Sequence, residues 1–185
     1  MEPDIRDYRI AIRPRRTGGS NYREEAQMPA TVVDGNLLDA NDRYIAHQCN
    51  CVTDRAAGLA AAIFARFPHA NIYIGRTTHD VPGTIEIRGQ DGTNARPVIA
   101  IFGQVYPGKP RYPNSSTDGP AARERYFAAA LDRIAALSGL LSVGFPWEIG
   151  CGMAGGQWPR YRAMIDRFAD ANPCAKVTIY RLPKA

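Results

Sequence analysis

The chain has 185 residues, of which 45% are hydrophobic, so it can fill one core but is too short for two full-sized domains. Its net charge of +5 favours an anionic ligand without deciding between nucleic acid and a small phosphorylated metabolite. No apolar run approaches the roughly 20 residues of a membrane helix and residues 1–16 are charged throughout, so we expect a cytoplasmic protein with reduced cysteines and no membrane partner.

Residues 1–29 form a polar, arginine-rich extension whose arginines alternate with acidic residues. A strand-like run at residues 8–12 lies inside it, and disorder is the alternative interpretation. The acidic residues can pair with the arginines, which argues against nucleic acid as a partner, although nucleic-acid binding by this extension is one hypothesis to test. We expect residues 30–185 to form the one folded domain.

From residue 30 onward, short apolar strands alternate with amphipathic helices, which favours a layered α/β sandwich over an all-α or all-β fold. The first helix places apolar side chains at three- and four-residue spacing, and Pro68 ends it. The predicted strands are residues 31–33, 44–47, 84–87, 98–102, 141–145 and 177–180. The predicted helices are residues 57–67, 121–137 and 158–171.

A glycine-rich segment, residues 149–157, lies between a predicted strand and a predicted helix and is the strongest local motif. Its glycines let backbone N–H groups surround an anion, and the helix that follows adds the partial positive charge of its N-terminus. The spacing differs from that of a P-loop, which needs a lysine, and from that of a dinucleotide-binding fingerprint. We interpret the segment as a phosphate cradle. A turn that is packed tightly for geometry alone is the alternative.

A second polar cluster, residues 47–59, also follows a strand and precedes a helix. Asn50 can bind hydroxyl groups through its amide, and the small residues before Leu59 leave room for a ligand at the start of the helix. Ligands of parallel α/β sheets bind outside the carboxyl ends of the strands. We therefore expect both polar segments to face one crevice.

Three segments, residues 33–38, 47–51 and 145–158, resemble the signature blocks of macrodomains, the ADP-ribose-binding family, in order and in spacing. The resemblance covers about residues 30–182. The residues of the three segments are most similar to the branch that contains the yeast ADP-ribose 1″-phosphate phosphatase. It implies a three-layer α/β/α sandwich with a mixed central sheet. The implied ligand is ADP-ribose or ADP-ribose 1″-phosphate, with an ADP-ribosylated macromolecule as a further partner, and no metal or cofactor is implied.

The same resemblance implies ligand-binding positions. Asn36 stands where the family usually holds an aspartate on the adenine amino group, and Asn50 matches an asparagine beside the distal ribose. The residues implied to contact the ligand are Asn36, Leu37, Cys49, Asn50, Gly58, Leu59, Ala60, Gly150, Cys151, Gly152, Met153, Ala154, Gly155 and Gly156. The aromatic candidates to stack on adenine or border a ribose are Phe102, Tyr106, Tyr112 and Trp147.

Hydrolysis of a terminal phosphate needs a proton for the leaving oxygen and either a nucleophile or an oriented water. His47 has the right pKa range and stands at the end of a strand, and the resemblance implies a candidate catalytic histidine there. Asp118, before the second long helix, is the second catalytic candidate. The alternatives are a hydrogen-bonded core histidine and an aspartate that only caps a helix or a turn.

Two departures from the family lower the expectation of other hydrolase chemistries. The longer asparagine- and glycine-rich loop of the MacroD-type ADP-ribosyl hydrolases is absent, and Ala56 and Ala57 stand in for glycines. The lysine–aspartate pair of the terminal ADP-ribose glycohydrolases is missing, since Met153 and Ala154 occupy the place of the aspartate. Cys49 and Cys51 lack the spacing of zinc ligands, and the loop after Cys151 lacks the arginine of a phosphatase thiol site, so we expect these cysteines to pack in the interior.

The sequence therefore predicts a domain that binds ADP-ribose and hydrolyses a terminal phosphate or a related ester. Two alternatives stay open: a non-catalytic reader of ADP-ribose, and a hydrolase or deacylase that acts on ADP-ribosylated protein or nucleic acid. Release of phosphate distinguishes the phosphatase from the reader.

Overall fold

The computed structural model describes residues 29–90 and 95–183, so the run predicted at residues 8–12 lies outside the described residues. The elements in chain order are β1 (Thr31–Asp34), β2 (Tyr44–Asn50), α1 (Gly58–Arg66), β3 (Ile85–Arg88), β4 (Val98–Gln104), α2 (Pro120–Ala135), β5 (Ser142–Pro146), α3 (Trp158–Ala171) and β6 (Lys176–Arg181). Two short 3-10 turns, Leu37–Asp39 and Pro68–Ala70, follow β1 and α1.

The strands form one six-stranded sheet in the order β1-β6-β5-β2-β4-β3. Every neighbouring pair is parallel except β3 and β4, which are antiparallel. The central strands β2 and β4 are buried along nearly their whole length, because helices cover both faces of the sheet. This burial explains why β4 begins with five consecutive apolar residues, Val98 to Phe102, rather than with an alternating pattern.

Two hydrophobic cores lie on opposite faces of the sheet, as the alternation of side chains along β2 requires. On one face, α2 and α3 pack through Phe127 and Tyr161, whose ring centroids lie 4.8 Å apart. On the other face, α1 packs through Ile63 and Phe64. The predicted three-layer α/β/α sandwich with a mixed central sheet is confirmed.

Strands β2 and β4 are longer than the hydrophobic pattern predicts, whereas β5 has its predicted length of five residues. The apolar run of β2 ends at residue 47, but the strand continues to Asn50, which pairs with Gln104 of β4. Backbone pairing keeps these polar residues in the sheet although their side chains break the pattern. Because β2 pairs in parallel with both β4 and β5, the carboxyl ends of the three strands lie at one edge of the sheet.

In residues 29–90 and 95–183, no helix is both long and apolar enough to span a membrane. The longest helix, α2, begins at Pro120, one residue before its predicted start, and ends at Ala135, two residues before its predicted end. Proline suits this first position because the N–H that it lacks would have no partner inside the helix.

Candidate functional site

A cleft of about 340 Å³ opens where β2, β4 and β5 end. Three loops surround it: the β2–α1 loop, the β4–α2 loop and the glycine-rich β5–α3 loop. The two polar segments singled out in the sequence therefore face one crevice. The β4–α2 loop also lines it, but through Pro107 and Gly108 rather than through its candidates Tyr106, Tyr112 and Asp118. The predicted site residues that line the cleft are His47, Cys49, Asn50, Gly58, Leu59, Ala60, Gly150, Gly152, Met153 and Ala154.

The glycines of the β5–α3 loop have two different roles. A Cβ on Gly150, whose φ is +72°, would lie 2.5 Å from Gln48 Oε1, and a Cβ on Gly156 would lie 2.7 Å from the Gly150 carbonyl oxygen. Close packing therefore requires glycine at these two positions, which agrees with the alternative interpretation of the segment as a tightly packed turn. Gly152 has no atom within 4 Å of its Cβ position and lines the cleft, so close packing does not require a glycine there.

Backbone N–H groups are available on both sides of the cleft. Within the described residues, the amides of Gly152, Met153 and Ala154 donate to no backbone or side-chain acceptor. On the other side, α1 begins at Gly58, and its N-cap residue Ala57 provides no side-chain hydrogen bond. The first N–H groups of a helix have no partner inside the helix and carry partial positive charge, so both walls offer donors to an anion.

The two donor-bearing walls approach each other closely. A Cβ on Gly58 would lie 3.1 Å from Met153 Sδ, so the Met153 side chain reaches across to the start of α1. The charged residues that line the cleft are Arg55 and Glu148, whose formal charges cancel. A negatively charged ligand would therefore be held mainly by backbone dipoles.

Asn50 stabilises the loop that it begins. Its Oδ1 accepts hydrogen bonds from the backbone N–H groups of Val52 at 3.1 Å and Thr53 at 2.8 Å. Its Nδ2 donates to the Tyr73 hydroxyl at 3.3 Å. The Asn50 amide that the sequence assigned to a ribose is thus already used by the chain itself, and its contact with a ribose stays a prediction.

A buried arginine side chain, which no sequence motif marks, binds the backbone of the β2–α1 loop. Arg76 donates to the Thr53 carbonyl at 2.5 Å and to the Asn50 carbonyl at 3.3 Å, and it pairs with Asp80. Its guanidinium carbon lies 4.5 Å from the centroid of the Tyr73 ring. No local sequence pattern predicts these contacts of Arg76, because the two carbonyls that it binds are more than 20 residues away along the chain.

His47 lies in the floor of the cleft, on β2, and its side chain is 1% exposed. Its ring meets the edge of Phe64 with centroids 5.5 Å apart, and its Nδ1 lies 3.5 Å from Cys49 Sγ. Burial lowers the pKa of His47 to about 4, because a charged imidazole would lose its hydration. At neutral pH this histidine is uncharged, so it can accept a proton but has no extra proton to donate.

The cysteine next to His47 is buried in the same way. Burial raises the pKa of the Cys49 thiol to about 12, so the sulfur is protonated at neutral pH. A protonated, buried thiol is a poor nucleophile. Cys151, the cysteine of the β5–α3 loop, does not line the cleft, and burial raises its pKa to about 11.

Asp118, the second catalytic candidate, lies outside the cleft lining. It is 7% exposed, its carboxylate pairs with Arg123, and its Oδ1 accepts the Val105 N–H at 2.8 Å. Both carboxylate oxygens of Asp118, which a catalytic aspartate would direct at a substrate, are thus already hydrogen-bonded within the protein. The placement favours a structural role for Asp118, and its catalytic role stays a prediction.

Several other predicted ligand contacts also lie outside the lining. Asn36 uses its Oδ1 to accept the Leu38 N–H at 3.0 Å and so caps the 3-10 turn after β1. Leu37 is buried in the core on the α1 face of the sheet. The remaining predicted contacts that do not line the cleft are Cys151, Gly155 and Gly156.

Of the aromatic candidates, Trp147 is the one that lines the cleft. Its ring centroid lies 4.9 Å from that of Trp158, and the Arg181 guanidinium lies 5.5 Å from the Trp147 centroid. Phe102 belongs to the core, whereas Tyr106 and Tyr112 are exposed and do not line the cleft. Among the residues that the structure describes, no group of three His, Cys, Asp or Glu side chains is arranged to hold a metal ion.

Comparison with known proteins identifies the fold. No protein-family model matches the chain, and no curated protein matches it in sequence. The macrodomain of Mycobacterium tuberculosis DarG matches in structure with a TM-score of 0.62 and 20% identity, over 84% of this chain and 98% of that one. The macrodomain of Thermus aquaticus DarG gives a TM-score of 0.59 with 20% identity, over 84% and 98% of the two chains.

A Trypanosoma brucei macrodomain, solved in complex with ADP-ribose, has a TM-score of 0.57 and 16% identity, and the match covers 82% of this chain and 62% of that one. The described residues therefore have the fold of macrodomains. The cleft lies where the loops at the carboxyl ends of the parallel strands meet.

Proposed function

We propose that this chain binds ADP-ribose in the cleft at the carboxyl ends of β2, β4 and β5. The observation that carries the proposal is the pair of facing backbone donor groups, the β5–α3 loop amides on one wall and the uncapped start of α1 on the other. Such donors fit a diphosphate without a lysine. The T. brucei neighbour, which has the same fold, was solved with ADP-ribose bound.

In this proposal the diphosphate lies between Gly152–Ala154 and the start of α1. The distal ribose points toward the floor that His47 and Asn50 provide, and the base lies toward Trp147. The charge of the cleft suits a small pyrophosphate-containing ligand, because the charged side chains that line it are one arginine and one glutamate and the donors for the phosphates are backbone amides.

Calorimetric titration with ADP-ribose tests the proposal, and one position offers a matched pair of variants. A Cβ at Gly152 would have no atom within 4 Å and would lie at the open cleft, so we expect Gly152→Asp and Gly152→Asn both to fold normally. The two side chains have nearly the same shape and differ in charge. We expect Gly152→Asp to weaken ADP-ribose binding at least about tenfold more than Gly152→Asn, since a carboxylate repels the diphosphate. Equal affinities of the two variants would show that the phosphates bind elsewhere.

Hydrolysis of ADP-ribose 1″-phosphate, or of a related ester, is the second candidate function. Its support is the position of His47 in the floor of the cleft. An uncharged imidazole can accept a proton from an attacking water, but the leaving oxygen must then take its proton from solvent or from the substrate phosphate. Release of inorganic phosphate by the protein, and its loss in His47→Gln, supports this function.

A non-catalytic reader predicts a different result in the same assay. The reader binds ADP-ribose, releases no phosphate from ADP-ribose 1″-phosphate, and retains its affinity in His47→Gln. Hydrolysis of ADP-ribosylated protein or nucleic acid is the remaining alternative. It predicts release of free ADP-ribose from a modified peptide or oligonucleotide.

A further inference from the structure

A second buried arginine, Arg123 in the first turn of α2, lies directly behind the cleft. Its side chain is 2% exposed and forms an ion pair with the Asp118 carboxylate. Its Nε also donates to the Asp118 carbonyl at 3.1 Å and to Asp118 Oδ1 at 3.2 Å. Its charge is therefore neutralised within the protein, and little of it reaches the cleft.

The other donors of Arg123 connect two separate cleft walls. Its Nη1 donates to the Gly108 carbonyl at 2.6 Å and to the Ala154 carbonyl at 3.0 Å, and its Nη2 donates to the Tyr106 carbonyl at 3.3 Å. Gly108 and Ala154 both line the cleft, one in the β4–α2 loop and the other in the β5–α3 loop. One side chain thus links two loops that are far apart in sequence.

We infer that Arg123 is a positioning residue for the anionic ligand, an inference that rests on the proposed function. A carbonyl bound by a buried guanidinium points into the protein rather than into the cleft. Because Arg123 binds three loop carbonyls in this way, it keeps their partial negative charges away from a bound phosphate. It also fixes the distance between the two loops, since the planar guanidinium sets the positions of its partners.

Asp118 and Gln104 complete this arrangement. The Asp118 carboxylate orients the guanidinium and accepts the Val105 N–H, which fixes the first residue of the β4–α2 loop. Gln104 Nε2 donates to the Tyr106 carbonyl at 2.8 Å, so this carbonyl is held from two sides. Asp118 therefore acts on the cleft through Arg123 and the loop, without contacting the ligand.

Arg123→Lys tests the inference, because lysine keeps the charge that pairs with Asp118 but has only three donors, all on one nitrogen, which are too few to bind the carboxylate and three separate carbonyls as well. The matched control is Arg133→Lys on the same helix, where Arg133 Nε donates to the Gly83 carbonyl at 3.1 Å and does not line the cleft. Each variant is titrated with ADP-ribose below its unfolding temperature, and amide hydrogen exchange is measured without ligand.

In Arg123→Lys we expect faster exchange at residues 105–109 and 150–156, and an ADP-ribose Kd raised at least about tenfold, the effect of losing one or two good hydrogen bonds. In Arg133→Lys we expect the Kd to stay within about twofold of the unaltered protein. A folded Arg123→Lys with unchanged exchange in these two segments, or with an unchanged Kd, would overturn the inference.

A second variant keeps the inference testable if Arg123→Lys does not fold. The double variant Asp118→Asn/Arg123→Gln removes both charges, so neither is left buried without its partner. The same two measurements, with the same expected changes, then decide the outcome. If the unaltered protein does not bind ADP-ribose, the proposed function fails, and hydrogen exchange alone still shows whether Arg123 holds the two loops.

Discussion

The buried state of His47 makes the stability of the protein depend on pH in a defined direction. Burial lowers the pKa of His47 from 6.5 to about 4 in the folded protein. In the unfolded chain the imidazole is exposed and keeps its ordinary pKa. Between these two values the unfolded chain binds a proton that the folded protein does not, so acidification favours unfolding.

The size of this effect follows from the two pKa values. The contribution of His47 to stability is fully present above pH 6.5 and is lost as the pH falls toward 4. Each pH unit in this window lowers the free energy of unfolding by about 1.4 kcal/mol, and the whole window accounts for about 3 kcal/mol. This is a large fraction of the 5–15 kcal/mol that is typical of a natural domain.

Urea unfolding at a series of pH values from 7.5 to 4.5 measures the effect. His47→Gln removes the titrating group, so we expect its free energy of unfolding to fall less steeply with acidification than that of the unaltered protein. The control is His79→Gln, because His79 is exposed. We expect this variant to keep the steep dependence. If His47→Gln and the unaltered protein show the same slope, His47 is not buried as an uncharged group.

Further predictions concern packing and thiol reactivity. Gly150→Ala places a Cβ 2.5 Å from Gln48 Oε1 at a φ of +72°, so we expect it to lower the free energy of unfolding by about 2–4 kcal/mol. Gly152→Ala meets no such contact and should change the free energy of unfolding by less than about 0.5 kcal/mol. Equal unfolding temperatures of the two variants would contradict this difference. Cys174 is exposed and Cys49 is buried. Brief iodoacetamide treatment of the folded protein at pH 8 should therefore alkylate Cys174 and spare Cys49, and mass spectrometry of the peptides would refute this if Cys49 reacted as fast.

Much of the architecture could be predicted from the sequence, because it depends on local patterns. The apolar spacing of α1 and the continuous apolar run of β4 each reflect burial against the sheet, and both elements form close to their predicted positions. The same holds for the glycine-rich loop, since a strand before it and a helix after it place it at the carboxyl edge of the sheet.

The contacts that shape the cleft could not be predicted in this way. Arg123 and Ala154 are 31 residues apart in sequence, and no periodicity connects a helical arginine with a loop carbonyl. Asp118 was a catalytic candidate by residue type and position, yet its carboxylate faces Arg123. Only three of the 23 basic residues are lysines, and Arg76 and Arg123 show one use of arginine that composition cannot reveal, the binding of loop carbonyls in the interior.

The claim that backbone amides on both walls of the cleft hold the ligand is tested most directly by NMR. A ¹⁵N-labelled sample titrated with ADP-ribose reports on each amide separately. The account predicts that the amide signals of Gly58, Gly152, Met153 and Ala154 shift together and saturate with one Kd. Saturable shifts confined to other amides, or no shifts at any ligand concentration, would contradict it.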